Sequence, residues 1–330
     1  MKLVKAQYTQ RGPVPEASIE PVAFEAPVLQ QGQALVAVLA APINPSDVLT
    51  LTGQYGILPP LPAVGGSEGV GRVVALGPDT HGPAIGQTVL LPVGSGTWAS
   101  HLVATAAHLL PLPNEADPRQ LAMLTVNPPT AALLLSEFVD LQPGDWVMQT
   151  SANSGVGSYL VQLAKLRGFR TVNVVRRESA VAGVKALGGD VVLVDGEDLA
   201  ERVKAATGGA AIRLGIDAVG GATTLRLAQS LADRATIVNY GALSGEACQL
   251  SPREIIFRDM SLKGFWLARW FRENPQSAHV ALLSELAGLI ATGKLSAPIA
   301  ASYDVSEIKA AVAAAAQGER TGKILITPKH

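Results

Sequence analysis

From Trp146 onward the sequence switches repeatedly between two periods, and this alternation constrains the fold more than any other feature. Six short runs rich in apolar and β-branched residues read as strands: Trp146–Gln149, Thr171–Val175, Val191–Val194, Leu214–Ala218, Thr236–Tyr240 and Leu262–Trp266. Helical spacing fills the gaps between them, over Val156–Leu166, Ala180–Leu187, Leu199–Ala206, Thr223–Leu231 and Arg253–Arg258. A strand can lie parallel to its predecessor only after a crossover long enough to hold a helix. The pattern therefore predicts an α/β unit with a doubly wound parallel sheet covered on both faces.

Residues 1–110 lack that period. Strand-like stretches such as Leu35–Leu39, Gly71–Leu76, Thr88–Pro92 and Trp98–Val103 are separated by turn residues, including Pro59, Pro60 and Pro62, and read as a β-rich module with loops. Helical spacing begins after Asp117, at Leu121 and Leu124 and again at Ala132 and Leu135. Beyond Trp270 a helix over Ala278–Ala291 and a strand over Lys323–Thr327 form a tail that is expected to return to the first module. The predicted division is 1–120 with 270–330 for the β-rich unit and 121–269 for the doubly wound unit, which suits the 330 residues.

Hydrophobic residues make up 48% of the chain and charged residues 16%, which is enough to build full cores and excludes disorder. The net charge of −1 argues against a nucleic-acid binder. Cys248 is the only cysteine, so a disulfide framework and multi-cysteine zinc sites are out. His81, His101, His108, His279 and His330 show no metal-ligand spacing. Apolar runs such as the Ala-rich 310–316 are far below the roughly 20 residues of a membrane span. The opening MKLVKAQYTQRGPV has no signal-peptide apolar core, and a cytoplasmic location is expected.

The strand Trp146–Gln149 runs into Thr150-Ser151-Ala152-Asn153-Ser154-Gly155-Val156-Gly157 and then a helix. A strand, a small-residue turn and a helix N-terminus together form an anion site, because unpaired amides and the helix dipole point at the ligand. Aligned as a dinucleotide fingerprint, the turn keeps Gly157 as the third glycine and puts Ala152 and Ser154 in the first two places. Two literal motif matches fail on context. Gly94-Ser95-Gly96-Thr97-Trp98-Ala99 precedes a strand, not a helix, and so does Gly65-Gly66-Ser67-Glu68-Gly69. An NAD enzyme carries an acid about 20 residues after the turn. Here Arg176 and Arg177 stand at that place, followed by Glu178, which favours the 2′-phosphate of NADPH.

Several stretches resemble the medium-chain dehydrogenase/reductase superfamily, and within it the trans-2-enoyl thioester reductases. They are Ala41–Gly56, Leu61–Gly77, TVNPPTA (Thr125–Ala131), the SANSGVG turn, Thr171–Ser179 and Leu262–Trp270. Of these, NPSD and SGVG occur in quinone reductases as well. The resemblance implies a GroES-like catalytic domain beside a Rossmann cofactor domain. Zinc members carry cysteine, histidine and cysteine where this chain has Asn44, Ser67 and the neighbourhood of Val126, so a zinc alcohol dehydrogenase is excluded. The resemblance further implies that Tyr55 is the proton donor; a phenol holds its proton at neutral pH. It places Asn127 near the nicotinamide, Asn153, Ser154, Gly155, Val156 and Gly157 on the pyrophosphate, and Arg176, Arg177 and Glu178 at the 2′-phosphate. Tyr240, Gly241, Ala242 and Leu243, with Phe265, Trp266 and Leu267, would line the cofactor and acyl pocket. Lys323 would be a late cofactor contact, and Asn44, Tyr55 and Trp266 would face the substrate. A small-molecule acyl thioester, on CoA or acyl carrier protein, is the implied substrate, NADPH the cofactor and a homodimer the implied assembly; no metal, membrane or nucleic acid is expected. Arg253, Arg258, Arg269 and Arg272 are candidates for a basic rim. An NADPH-dependent quinone or enone reductase and an NADPH-binding sensor without turnover remain alternatives.

Overall fold

The structure, a computed structural model, describes residues 3–317 and 321–330. Contacts divide the chain into two compact units, Met1–Val126 with Val280–His330, and Asn127–His279.

The first leg of unit one runs β1 (Leu3–Tyr8), α1 (Pro15–Ser18), β2 (Ile19–Phe24), β3 (Gln33–Pro42), α2 (Pro45–Thr52), β4 (Ala63–Val64), β5 (Val70–Leu76), β6 (Thr88–Leu90), β7 (His101–Thr105), β8 (Leu110–Pro111) and α3 (Pro118–Leu121). β1 pairs antiparallel with β2 and with β4. β3 pairs antiparallel with β5 and with β7. The strand expected over Trp98–Val103 starts only at His101; Trp98 is fully buried, and its indole N–H donates to the Pro42 carbonyl at 3.1 Å. The helix α2 lies in a stretch that sequence reading assigns to strands and loops. Its start carries a cap signature, Asn44-Pro45-Ser46-Asp47, with proline in the first turn and the Asp47 carboxylate accepting from the Asn44 N–H at 2.8 Å.

Unit two contains α4 (Asn127–Leu134), β9 (Trp146–Gln149), α5 (Gly155–Leu166), β10 (Arg170–Val175), α6 (Val181–Ala186), β11 (Val191–Val194), α7 (Leu199–Thr207), β12 (Leu214–Asp217), α8 (Gly221–Ser230), β13 (Thr236–Asn239), β14 (Ser261–Gly264) and α9 (Leu267–Glu273). The strands are parallel in the order β11-β10-β9-β12-β13-β14. The winding reverses between β9 and β12, whose residues are all buried, and a reversal of this kind opens the ligand crevice of a doubly wound sheet at the strand C-termini. The helix expected over Arg253–Arg258 is a single π-type turn, Arg253–Phe257; Asp259, with φ 49°, ends it. The rings of Trp270 and Phe271 both meet His279, at 5.6 and 4.9 Å, which keeps the segment after residue 269 in this unit.

The chain re-enters unit one within α10 (Gln276–Ala291) and continues through β15 (Ile299–Tyr303), α11 (Ile308–Ala316) and β16 (Lys323–Ile326). β16 pairs with β15 and with β3, completing the order β15-β16-β3-β5-β6-β8. The Ala-rich α11, which sequence reading leaves as tail, buries Ile308, Ala311, Val312 and Ala315 against a core that includes Val36, Ile43, Trp98 and Ile326. That spacing is one face of a helix. No helix among the described residues is long and apolar enough to cross a membrane.

Candidate active site

In unit two the turn between β9 and α5 leads into a capped helix N-terminus. Ser154 caps α5, its hydroxyl accepting from the Gly157 N–H at 3.1 Å, and the Ser154 N–H donates to the Ser151 carbonyl at 2.9 Å. Ser154 has an ordinary φ of −73°, so the second fingerprint position needs no glycine here. The third does. A Cβ on Gly157 would lie 2.6 Å from the Ala152 carbonyl oxygen and 2.8 Å from its carbonyl carbon. Gly157→Ala should therefore force α5 off the turn, lowering stability by about 1–3 kcal/mol and weakening NADPH binding. Thermal unfolding and an NADPH titration check this, and an unchanged melting temperature together with unchanged affinity would show that the turn can spread.

Two residues that are distant in sequence close on the same turn. Asn127, at the start of α4, lies against Gly155, where a Cβ would come within 3.1 Å of its carboxamide. Tyr240, just past β13, shares a hydrogen bond with the Ser154 side chain. Burial pushes the Tyr240 phenol up, the Ser154 bond pulls against that, and the Asp217 charge adds to it. Asp217, at the end of β12, ties the crevice floor together: it accepts from Thr150 and Thr224 hydroxyls at 2.8 and 2.7 Å and from the Val219 N–H at 2.9 Å. Gly241 passes so near β12 that a Cβ would lie 2.9 Å from the Ala218 carbonyl oxygen, while Ala242 and Leu243 are exposed.

Asn153 is half-buried and Val156 buried at the turn; Arg176 and Glu178 are exposed and Arg177 half-buried just beyond β10. Phe265, Trp266 and Leu267 are half-buried beyond β14, with Phe265 edge-on to Phe138 at 5.9 Å and the Arg272 guanidinium 5.7 Å from the Trp266 ring. Trp266 is thus not a core tryptophan. Of the arginines considered for a basic rim, Arg258 belongs to the fold: it donates to Asp233 at 2.9 Å and to the Ala228 carbonyl at 3.0 Å.

In unit one, α2 ends at Gly53 in the left-handed conformation, φ 80°. The N–H groups of Gln54 and Tyr55 both donate to the Leu49 carbonyl, at 2.8 and 3.2 Å, so Tyr55 is set at a fixed distance from the helix end. Its ring is half-buried in an otherwise exposed loop.

The positions compared with zinc ligands converge, but on carboxylates. Glu68 is fully buried. It accepts from the Asn44 carboxamide at 2.6 Å, from the Thr125 N–H at 3.0 Å and from the Val126 N–H at 2.9 Å. The Ser67 hydroxyl donates to Asp47 at 2.6 Å. The Lys323 ammonium donates to the Asn44 carboxamide oxygen. Asn44, expected to face substrate, and Lys323, expected to touch cofactor, are 2% and 6% exposed and turned into this cluster. Lys323 is therefore no solvated surface lysine. Burial pushes Glu68 up to about 7, against the pull of Lys323 and Asn44, and raises Asp47 as well. With no thiolate or imidazole and an ammonium among them, these donors do not fit zinc. Among the described residues no group of three His, Cys, Asp or Glu could hold a metal.

A doubly wound sheet with a small-residue turn into a helix at its switch point, and a β unit carrying a helix-anchored tyrosine, point to the medium-chain dehydrogenase/reductase class. Residues 155–284 match the family described as "Zinc-binding dehydrogenase", and residues 30–114 match "Alcohol dehydrogenase GroES-like domain". The chain is 39% identical over 269 residues to the mitochondrial enoyl-[acyl-carrier-protein] reductase of Rattus norvegicus, covering 80% of this chain and 72% of that protein. Among solved structures it resembles the Etr1p/NADP/crotonyl-CoA complex, with TM-score 0.89, 25% identity, and coverage of 99% of this chain and 100% of that one. It equally resembles a putative NADPH:quinone reductase from Bacillus thuringiensis, with TM-score 0.89, 27% identity and full coverage of both chains. The chain belongs to the enoyl thioester reductase family of the medium-chain dehydrogenases/reductases.

Proposed function

We infer that this chain reduces the carbon–carbon double bond of trans-2-enoyl thioesters with NADPH. The observation that carries the reading is the donor set of unit one. Where zinc members polarise a carbonyl with a metal, this chain holds a hydrogen-bonded carboxylate–carboxamide–ammonium cluster at the start of α2, and the loop after α2 carries the Tyr55 phenol. An activated alkene needs only a hydride source and an acid. The turn Asn153–Gly157 would take the pyrophosphate at its capped helix end, where Asn127 and Tyr240 pack, with Gly241, Ala242 and Leu243 following Tyr240 and Arg176, Arg177 and Glu178 toward the 2′-phosphate.

NADPH held by these residues would supply a hydride for the β-carbon. As the double-bond electrons shift, the thioester oxygen takes up negative charge. Tyr55 gives its phenolic proton to the α-carbon, which yields the saturated thioester, and the phenolate regains a proton from water. Phe265, Trp266 and Leu267 flank the acyl group in this reading.

The resemblance to a quinone reductase gives a second reading. Purified protein should oxidise NADPH with crotonyl or hexenoyl thioesters at a kcat/KM well above that for any quinone; the reverse order would favour the second reading, and cofactor binding with no turnover would favour a sensor. CoA and acyl carrier protein are both candidate carriers, and parallel assays separate them. Assembly as a homodimer through β14, an edge strand whose four residues are exposed, is part of the proposal, and a monomer in light scattering would refute it. So is a cytoplasmic location, which cell fractionation tests.

A further inference from the structure

Glu68 is a fully buried acid of unit one whose two oxygens accept from the two segments that lead to Tyr55 and to Asn127. Its Oε1 accepts from Asn44, which begins α2; eight helical residues later the Gly53 cap delivers Tyr55. Its Oε2 accepts from Thr125 and Val126, and Val126 is followed directly by Asn127, whose carboxamide packs on Gly155 of the phosphate turn. We propose that Glu68 is a positioning residue of the reaction: its buried carboxylate ties the root of the proton-donor helix to the turn at Thr125 and Val126 in one fixed register. The proposal rests on Tyr55 being the proton donor.

Hydrogen-bond polarity explains why a carboxylate stands there. At one end of the chain of bonds is the Lys323 ammonium, which can only donate; at the other are two backbone N–H groups, which can only donate. Asn44 between them accepts with its oxygen and donates with its nitrogen, so it passes the polarity on. Glu68 must then accept at both oxygens, and only the ionised carboxylate does. Glutamine has one acceptor oxygen. Whichever way it and Asn44 are turned, one donor ends up facing another. The charged groups facing Glu68 are Asp47 from α2 and Lys323 from β16, and Asp47 adds a second grip on the Asn44 N–H at 2.8 Å. Misplacement of a reacting group by about 1 Å can cost on the order of 100-fold in rate, so a slack register would act on kcat.

The test compares wild type with Glu68→Gln and with Glu68→Gln/Lys323→Gln. In the double variant the polarity closes again: the new amide at 68 accepts from the backbone and donates to Asn44, and Asn44 donates to the new amide at 323. Amide hydrogen exchange on the cofactor-free protein is the readout independent of turnover. In Glu68→Gln, exchange at Thr125, Val126 and the Gln54–Tyr55 amides should rise about tenfold or more with the core strands unchanged. The kcat should fall about tenfold with KM for NADPH little changed, and the wild-type loss of kcat below a pH of about 7 should disappear. The double variant should regain protection at Val126 and part of kcat. Wild-type exchange and kcat in Glu68→Gln would overturn the proposal, as would equal loosening of the whole unit. If Glu68→Gln does not fold, the double variant decides: folding with a protected Val126 supports the proposal, and failure to fold or a loose Val126 overturns it. If instead Tyr55→Phe is fully active while the exchange pattern appears as described, the function assigned to Tyr55 has failed and the coupling of the two segments stands.

Discussion

Tyr55→Phe should leave a folded protein that binds NADPH as before and reduces enoyl thioesters about 100-fold more slowly or worse. The substitution removes one hydroxyl and leaves the main-chain bonds of the loop in place. Tyr55 is placed by main-chain bonds, its own N–H and that of Gln54 on the Leu49 carbonyl and the left-handed Gly53 cap, and a phenylalanine keeps all of them. What is lost is the acid that meets negative charge as it forms on the substrate. Steady-state kinetics with a crotonyl thioester, beside a fluorescence titration with NADPH, measure the two halves separately. Quinone turnover offers a control within the same variant, because a reduced quinone takes its protons on oxygen, where water serves. Full thioester turnover in Tyr55→Phe would remove the tyrosine from its role.

The strand–turn–helix of the proposed cofactor site is legible because its elements are local. A strand, a small-residue turn and a helix follow one another within residues 146–166, and the imperfect fingerprint costs nothing because Ser154 needs no left-handed backbone. Gly157, the glycine that close packing does demand, is the one retained. The cluster in unit one is not legible in the same way. Its members come from Asn44 and Asp47, from Ser67 and Glu68, and from Lys323, which lies 279 residues beyond the asparagine it bonds. Glu68 also sits in the glycine run Gly65–Gly69, the literal motif match set aside on context, which hides the acid next to the serine. A signal was present: between Asp47 and Arg72 Glu68 is the only charged residue, set among glycines ahead of an apolar strand. Helix α2 escapes periodicity because Val48, Thr50 and Thr52 are β-branched and its apolar stripe is short, yet its cap residues announce it. Side chains that answer to distant partners are fixed by the tertiary fold, and no local window contains them.

Arg176→Ala/Arg177→Ala should raise the Kd for NADPH about 100-fold while leaving that for NADH nearly unchanged. The two arginines follow β10 at the place where an NAD enzyme puts its ribose-binding acid, and Arg176 is exposed. The acids nearby do not substitute. Glu178 is exposed in the next turn. Asp195, beyond the neighbouring β11, accepts from Arg226 at 2.7 and 2.5 Å and from the Thr223 hydroxyl at 2.9 Å. Burial raises Asp195, but these bonds outweigh it and hold the carboxyl below the usual range, ionised and already partnered. A bond between a guanidinium and a phosphate is worth roughly 1.5–3 kcal/mol, and each 1.4 kcal/mol is about tenfold in affinity. Two such bonds on an exposed rim, weakened by salt, give the factor of about 100. The same reasoning fixes a second observable. Wild-type affinity for NADPH should fall steeply with added salt, and the double variant should lose most of that slope, because the extra phosphate of NADPH would no longer meet a fixed positive charge. Equal weakening of both nucleotides would mean that the arginines hold the turn rather than the phosphate. Unchanged NADPH affinity would move the 2′-phosphate site elsewhere on the crevice.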